Sequence, residues 1–218
     1  MGEKIYPESG VELKTFTAKH YDKIMNAVSF GVYRRFIIKA VNDMDIKPGD
    51  SILDLGCGTG RNAKLMASHL SENGKIMGMD VSEIMEKQFM KKFEADQRVT
   101  FTRQRADISF DLGHRFDKIL ISFVIHGFPH EVRKTVIENV HKHLKPGGTF
   151  LMLDFAEFDM GKMPFHHRFI FKTIECKYAF DFIEKDWKKI LEDSGFEGFS
   201  ETFYLKKYIR LLKAVKKL

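Results

Sequence analysis

Ile52-Leu53-Asp54-Leu55-Gly56-Cys57-Gly58-Thr59-Gly60 decides how this chain folds. An apolar run ends on an acid, glycine then occupies every second position, and an amphipathic stretch over residues 61–70 follows. That order predicts a strand, a glycine-rich turn and a helix, an arrangement that brings backbone close to a ligand at a helix N-terminus. Gly56, Gly58 and Gly60 permit φ values that a side chain forbids and remove Cβ atoms that would block a nucleotide-sized ligand. The spacing differs from the GxGxxG of dinucleotide enzymes.

Working outward, strand and helix patterns alternate, which predicts a parallel sheet with helical crossovers. Helices are expected over residues 15–28 and 32–44, then a strand over 51–55. A second strand over 75–79 leads to Asp80, and Ser82 caps a helix running to about residue 95. Strands over 99–103 and 116–123 follow, the latter apolar on both faces as a central parallel strand requires. A helix over 131–144 is stopped by Lys145-Pro146-Gly147-Gly148 and a fifth strand covers 149–155. A helix over 186–194 ends at Gly195, and residues 199–204 and 208–214 pair as a closing antiparallel hairpin. No repeat or linker divides the 218 residues, so one domain spans 1–218, with an N-terminal helical lid over 1–45 and a substrate-side insertion over 156–185.

Composition excludes several classes. Apolar residues make up 44% and charged residues 30%, the balance of a water-soluble globular protein. No apolar run approaches the roughly 20 residues that cross a bilayer, and the N-terminus lacks a secretory signal. Cys57 and Cys176 have neither metal nor disulfide spacing, and a cytoplasmic protein is expected. The net charge of +6 owes much to Lys206, Lys207, Arg210, Lys213, Lys216 and Lys217. These form either a solvated face or a patch for peripheral contact with an anionic membrane. Phenylalanine, 21 of 218 residues, points to apolar surface beyond what a core needs.

Asp54-x-Gly56-x-Gly58-x-Gly60 resembles motif I of the class I S-adenosylmethionine (SAM) methyltransferases. Asp80, 20 residues after Gly60, falls where an acid meets ribose hydroxyls in nucleotide folds of this layout. Asp107 and Ile108 follow the third strand, on the side where adenine would lie. Lys145-Pro146-Gly147-Gly148 is similar to a turn common in that superfamily. The resemblance covers roughly residues 50–155. It implies a Rossmann-like α/β fold with a seven-stranded, mostly parallel sheet, an antiparallel C-terminal hairpin and helices on both faces. It also implies SAM as methyl donor and S-adenosylhomocysteine as product.

Tyr21-Asp22-Lys23-Ile24-Met25-Asn26, Ser29 to Arg35 and Ile121-Ser122-Phe123 look like segments of the UbiE/MenG type, the ubiquinone and menaquinone C-methyltransferases. This closer resemblance implies a small, apolar or lipid-like acceptor of quinone-precursor type, Ser122 beside the donor and Tyr21 in a lid. Where that type continues with Gly-Leu-Arg-Asn, this chain has Val124-Ile125-His126-Gly127, and residues 160–181 depart from its substrate-side segment. Methylating a phenolic ring calls for a base that deprotonates its hydroxyl, and His126 is the candidate at the ligand end of the fourth strand. His130 reads more readily as the start of a helix. His141 and His143 point apart on a helix, so no metal site is expected. The Phe- and Met-rich residues 160–182 form either an acceptor wall or the packing of an extra helix. Two other functions fit the same residues: a phospholipid or small-amine N-methyltransferase, and a SAM-binding sensor or scaffold without turnover. Neither a nucleic-acid signature nor an oligomeric state is legible.

Overall fold

A computed structural model describes residues 32–218, the side chains of Val32, Ile170 and Ile174 apart. The helix expected over 15–28, the greater part of the lid and Tyr21 lie outside the described residues. The elements run α1 (Val32–Asn42), β1 (Ser51–Leu55), α2 (Arg61–Ala67), β2 (Lys75–Asp80), α3 (Glu83–Lys92), β3 (Val99–Arg103), β4 (Phe116–Ser122) and α4 (His130–His143). They continue with β5 (Leu144–Phe155), α5 (Phe165–Ile174), α6 (Lys177–Ile183), α7 (Trp187–Asp193), β6 (Phe196–Tyr204) and β7 (Ile209–Lys216).

One seven-stranded sheet has the order β3-β2-β1-β4-β5-β7-β6. The first five strands pair in parallel, β7 runs antiparallel to β5, and β6 antiparallel to β7. The seven-stranded class I layout is therefore present. β1 pairs with β2 on one side and β4 on the other, so the chain reverses its direction of travel across the sheet between them. Crossovers leave β1 and β4 toward opposite flanks, opening a crevice at their carboxyl ends. Ile52, Leu53, Leu55, Ile119, Leu120 and Ile121 are fully buried, as strands covered on both faces must be.

Three details differ from the sequence reading. Lys145-Pro146-Gly147-Gly148 bulges within a long β5: Phe116 pairs with Leu144, then Lys118 with Thr149, so four residues face Asp117 alone. Gly147 takes φ 73 there, and Lys145 clasps Asp117 at 2.9 Å. The amphipathic stretch after the glycine loop ends as helix at Ala67. The C-terminal cations, finally, do not form one basic face. β7 lies inside the sheet, and buried Arg210 bonds Glu157 and Glu201 at 2.6 Å each. Lys213 is paired with Asp45, and Lys216 donates to the carbonyls of His141 and Leu144. Lys206 and Lys207 remain at the exposed β6–β7 turn.

Candidate active site

The carboxyl edge of β1 and β2 builds the first half of the site. The Gly56 and Cys57 N–H groups donate to the Met79 carbonyl at 2.7 and 3.1 Å, folding the glycine loop over the end of β2. Gly58 N–H donates to Asp80 Oδ2 and Ser82 N–H to Asp80 Oδ1, both at 2.9 Å, so one carboxylate ties the loop to the cap of α3. Gly56, Gly58 and Gly60 have φ of 70°, 52° and 76°. A Cβ on Gly56 would meet Val124 at 2.6 Å, and one on Gly60 would meet Phe89 at 2.7 Å and Phe93 at 2.8 Å. Among the described residues, a Cβ on Gly58 would meet nothing within 4 Å. Two of the glycines answer to packing, whereas Gly58 borders open space.

Asp54 is 1% exposed, and among the described residues neither of its oxygens has a hydrogen-bond partner. Burial, and then the negative charge of Asp80, pushes its pKa to about 7. Such a carboxylate is a standing demand for a cation. Burial also raises Asp80, although the N–H groups of Ser82, Gly58 and Val81 offset part of that.

Asp107 is held by Arg105, whose Nε lies 3.0 Å from Oδ1. Its backbone neighbourhood is anchored from α4, where Asn139 Nδ2 donates to the carbonyls of Ala106 and Ile108 at 2.9 and 2.8 Å. The Ile108 side chain is exposed. Ser122 ends β4, half-buried, and Phe123 follows with φ 54, a left-handed conformation that swings the chain into the 3₁₀ turn Ile125–Gly127. The Val124 side chain stands over Gly56, so the turn carrying His126 sits against the glycine loop.

His126 forms the second half. Its Nδ1 lies 2.7 Å from Oδ1 of Asp154, which is buried at the carboxyl end of β5, and its Nε2 lies 3.7 Å from Glu175 Oε2. Burial pulls the His126 pKa down, but Asp154, through its charge and hydrogen bond, and then Glu175 outweigh it and raise the net value. Burial raises Glu175 in turn. Phe155 and Phe182 flank the imidazole at ring-centroid distances of 5.1 and 6.3 Å. Behind the turn, fully buried Arg133 donates to the carbonyls of Ile125 and His126 at 3.2 and 3.1 Å and to Tyr178 O at 2.6 Å. It also bonds Asp181 at 2.6 Å, fastening the turn to α6.

The structure thus gathers Asp54, the glycine loop and Asp80 at one end of the crevice, with His126 on the adjoining turn. Asp154, Glu175 and Arg133 were missed by sequence reasoning. Asp154 gave one usable signal, as an acid near the carboxyl end of an otherwise apolar strand, the same cue that marked Asp54. Glu175 gave none, because its approach to His126 depends on how α5 and α6 fold back. His141 and His143 serve packing. His143 stacks on Phe110 at 4.5 Å, donates from Nδ1 to Asn139 O at 2.8 Å and accepts from Leu112 N–H at 3.2 Å, while His141 packs on Phe196. The Phe-rich segment divides: Phe171 packs among Phe155, Phe158 and Phe180, and Phe182 is fully buried, whereas Phe165 and Phe169 face outward.

Comparison with known proteins gives this geometry a context. The model of the ubiE/COQ5 methyltransferase family matches residues 11–198. The ubiquinone/menaquinone biosynthesis C-methyltransferase UbiE of Hydrogenovibrio crunogenus is 26% identical over 82% of this chain and 67% of its own length. The demethylmenaquinone methyltransferase of Bacillus licheniformis is 27% identical over 84% of this chain and 79% of its own. Other demethylmenaquinone methyltransferases are matched over a smaller share, 65% of the Lysinibacillus sphaericus protein and 56% of the Desulfitobacterium hafniense one. Among solved structures, human N-acetylserotonin methyltransferase in complex with SAM superposes with a TM-score of 0.68 at 16% identity, covering 94% of this chain and 57% of that one. The N-methyltransferase NodS of Bradyrhizobium japonicum, in complex with S-adenosylhomocysteine, gives 0.61 at 14%, covering 86% and 87%.

Proposed function

Because the chain belongs to the ubiE/COQ5 methyltransferase family, a family of SAM-dependent enzymes, we propose that it methylates a small, apolar acceptor bearing a ring hydroxyl, of quinone-precursor type. The observation that carries the acceptor half is the His126–Asp154 pair, set between phenyl rings on the turn beside the glycine loop. The donor half has residues that fit a sulfonium amino acid. Asp54 is a buried carboxylate with no hydrogen-bond partner among the described residues, suited to the donor's ammonium, and Gly58 leaves backbone open to close approach. Asp80 takes the ribose hydroxyls, Asp107 and Ile108 border adenine, and Ser122 closes the methionine side. Tyr21, carried over from the resemblance, would join a lid.

The bound donor supplies an already activated methyl group, so the protein's work is alignment and exclusion of water. His126 accepts the acceptor's hydroxyl proton at Nε2, while Asp154 holds Nδ1–H and stabilises the imidazolium that forms. Deprotonation makes the ring carbon beside the hydroxyl electron-rich. Phe155 and Phe182 keep water from that ring.

The test incubates the protein and methyl-labelled SAM with an extract that contains unmethylated quinone precursors. Label in the neutral, lipid-soluble quinone fraction is expected. Label on phospholipid or amine headgroups would replace this reading with N-methylation. Measurable SAM binding with no label in any fraction would leave a sensor or scaffold.

A further inference from the structure

The outward face of α5 has a composition that no packing requirement explains. Phe165, Arg168, Phe169 and Lys172 recur at helical spacing along one stripe, while the opposite side sends Phe171 into the core. Phe165 is 75% exposed and Phe169 62%, the two most exposed aromatic rings among the described residues. Burying either against the protein would have been simple, since Phe171 of the same helix meets three other rings.

Charge around these rings has a single dominant sign. Residues 160–174 contain Lys162, Arg168 and Lys172 and no Asp or Glu. His167 on α5 lies 3.3 Å from the Tyr208 hydroxyl, which sets the β6–β7 turn beside the helix. That turn adds Leu205, Lys206 and Lys207, all exposed, with φ of 47°, 58° and 70°. The two acids that flank this stretch are engaged elsewhere: Asp159 accepts from the Gly161 N–H and lies 3.9 Å from Lys162, and Glu175 turns to His126 at 3.7 Å.

We propose that the α5 stripe and the Leu205–Lys207 turn form a docking surface for an anionic lipid bilayer, with Phe165 and Phe169 entering the interfacial layer and the cations meeting headgroups. Alternating phenyls and cations on one helical face match the two components of interfacial binding, apolar insertion and attraction to anionic lipid. The site's neighbourhood supports the assignment. Glu175 caps the carboxyl end of α5 and reaches His126, so the same helix touches the lipid surface and the proposed acceptor site. A lipid-soluble acceptor could then pass from bilayer to site over a short apolar path. The docking surface itself stands on its own residues, independently of the methyl-transfer reading.

Sedimentation with phosphatidylglycerol/phosphatidylcholine vesicles tests this directly, compared with phosphatidylcholine alone at low and high salt. The native chain should sediment with the anionic vesicles, less so at high salt. Phe165→Ser/Phe169→Ser should lower its partition at least tenfold, and Arg168→Glu/Lys172→Glu should abolish the preference for anionic lipid. Both variants should keep native circular dichroism and SAM affinity, because neither pair packs in the core. Equal binding to neutral vesicles, no binding at all, or an unchanged partition of the phenylalanine variant would overturn the proposal. A native dimer that the phenylalanine variant converts to a monomer would assign the stripe to a second copy of the chain instead.

Discussion

The two halves of the site are built by different means. On the donor side, geometry is written in the backbone: three left-handed glycines, a strand end and a helix start set the loop, and Asp80 fixes it through two N–H groups. Around His126, the proposed acceptor side, side chains far apart in sequence do the work. His126 meets Asp154 28 positions away, and Arg133 meets Asp181 across 48. The contrast teaches that a loop built from backbone can be specified by a short local motif, whereas a site built from side chains on several elements depends on contacts distant in sequence.

The sharpest way to separate the halves is His126→Ala. A positioned base contributes typically 10²–10⁴-fold, and kcat should fall by about that factor. The Kd for SAM, measured by calorimetry, should stay within about twofold, since no donor-side group bonds the imidazole. A variant with native turnover would remove His126 from the mechanism. One that loses SAM affinity as well would show that the halves are not separable.

Asp54→Asn is the complementary break. Burial, and then the charge of Asp80, holds the native carboxyl at about 7, against the ordinary 3.8 of an aspartate in the unfolded chain. The folded protein therefore holds this proton more tightly than the unfolded chain, and stability is lost as pH rises from about 4 to about 7. Asparagine carries no such cost. At pH 8 the variant should be more stable than the native chain by on the order of 2–4 kcal/mol, and should unfold at a correspondingly higher temperature. That gap should shrink as pH falls through 7 and close near pH 4. SAM affinity should fall about 100-fold in the variant at pH 8. In the native protein affinity should weaken below pH 7, because Asp54 must lose its proton to receive an ammonium. Equal stability of the two proteins across this range would refute the reading of Asp54 as an uncompensated charge.

A smaller effect probes the acceptor side. The base must be neutral to act, so kcat should rise with pH through the His126 pKa, which Asp154 and Glu175 hold above the ordinary 6.5 despite burial. Asp154→Asn removes the larger of those two contributions, and the midpoint of the pH–rate profile should move down. Glu175→Gln should move it in the same direction and less far. A midpoint that stays put in both variants would assign the profile to another group.

The glycine loop and its place between strand and helix were legible because their signals are local. Asp54, Gly56, Gly58, Gly60 and Asp80 announce themselves by position within a strand–turn–helix order, and β1, β2 and β4 showed the apolar pattern their burial demands. The basic C-terminal residues misled because charge counting ignores partners: Arg210 and Lys213 read as surface cations, yet β7 lies between two strands, Glu157 and Glu201 of β6 meet Arg210, and Asp45 meets Lys213. Glu175 and Arg133 were invisible for the related reason that nothing in residues 156–185 reveals how its helices fold back. Exposure of Phe165 and Phe169 was equally hidden, since periodicity distinguishes two faces of α5 without saying which one meets the core.

The mildest test lies inside the glycine loop itself, where the three positions should not behave alike. Alanine at Gly60 forces the Phe89 and Phe93 rings aside, and alanine at Gly56 displaces Val124. Both should cost stability beyond the backbone term. At Gly58 the new methyl meets no atom of the described residues, so only the left-handed φ of 52° is penalised, about 1–2 kcal/mol. Gly58→Ala should therefore unfold only a few degrees below the native chain in the absence of SAM, a smaller drop than either of the other two variants shows. Its methyl points into the space where backbone is left bare, so SAM affinity should drop while the fold persists. Thermal melts with and without SAM decide the matter: a smaller ligand-induced rise in Tm for Gly58→Ala, with an unliganded Tm only a few degrees below the native one, identifies the donor-facing glycine. If Gly58→Ala instead keeps the full ligand-induced rise, the donor does not approach the loop at that point, and the open space beside Gly58 has some other use.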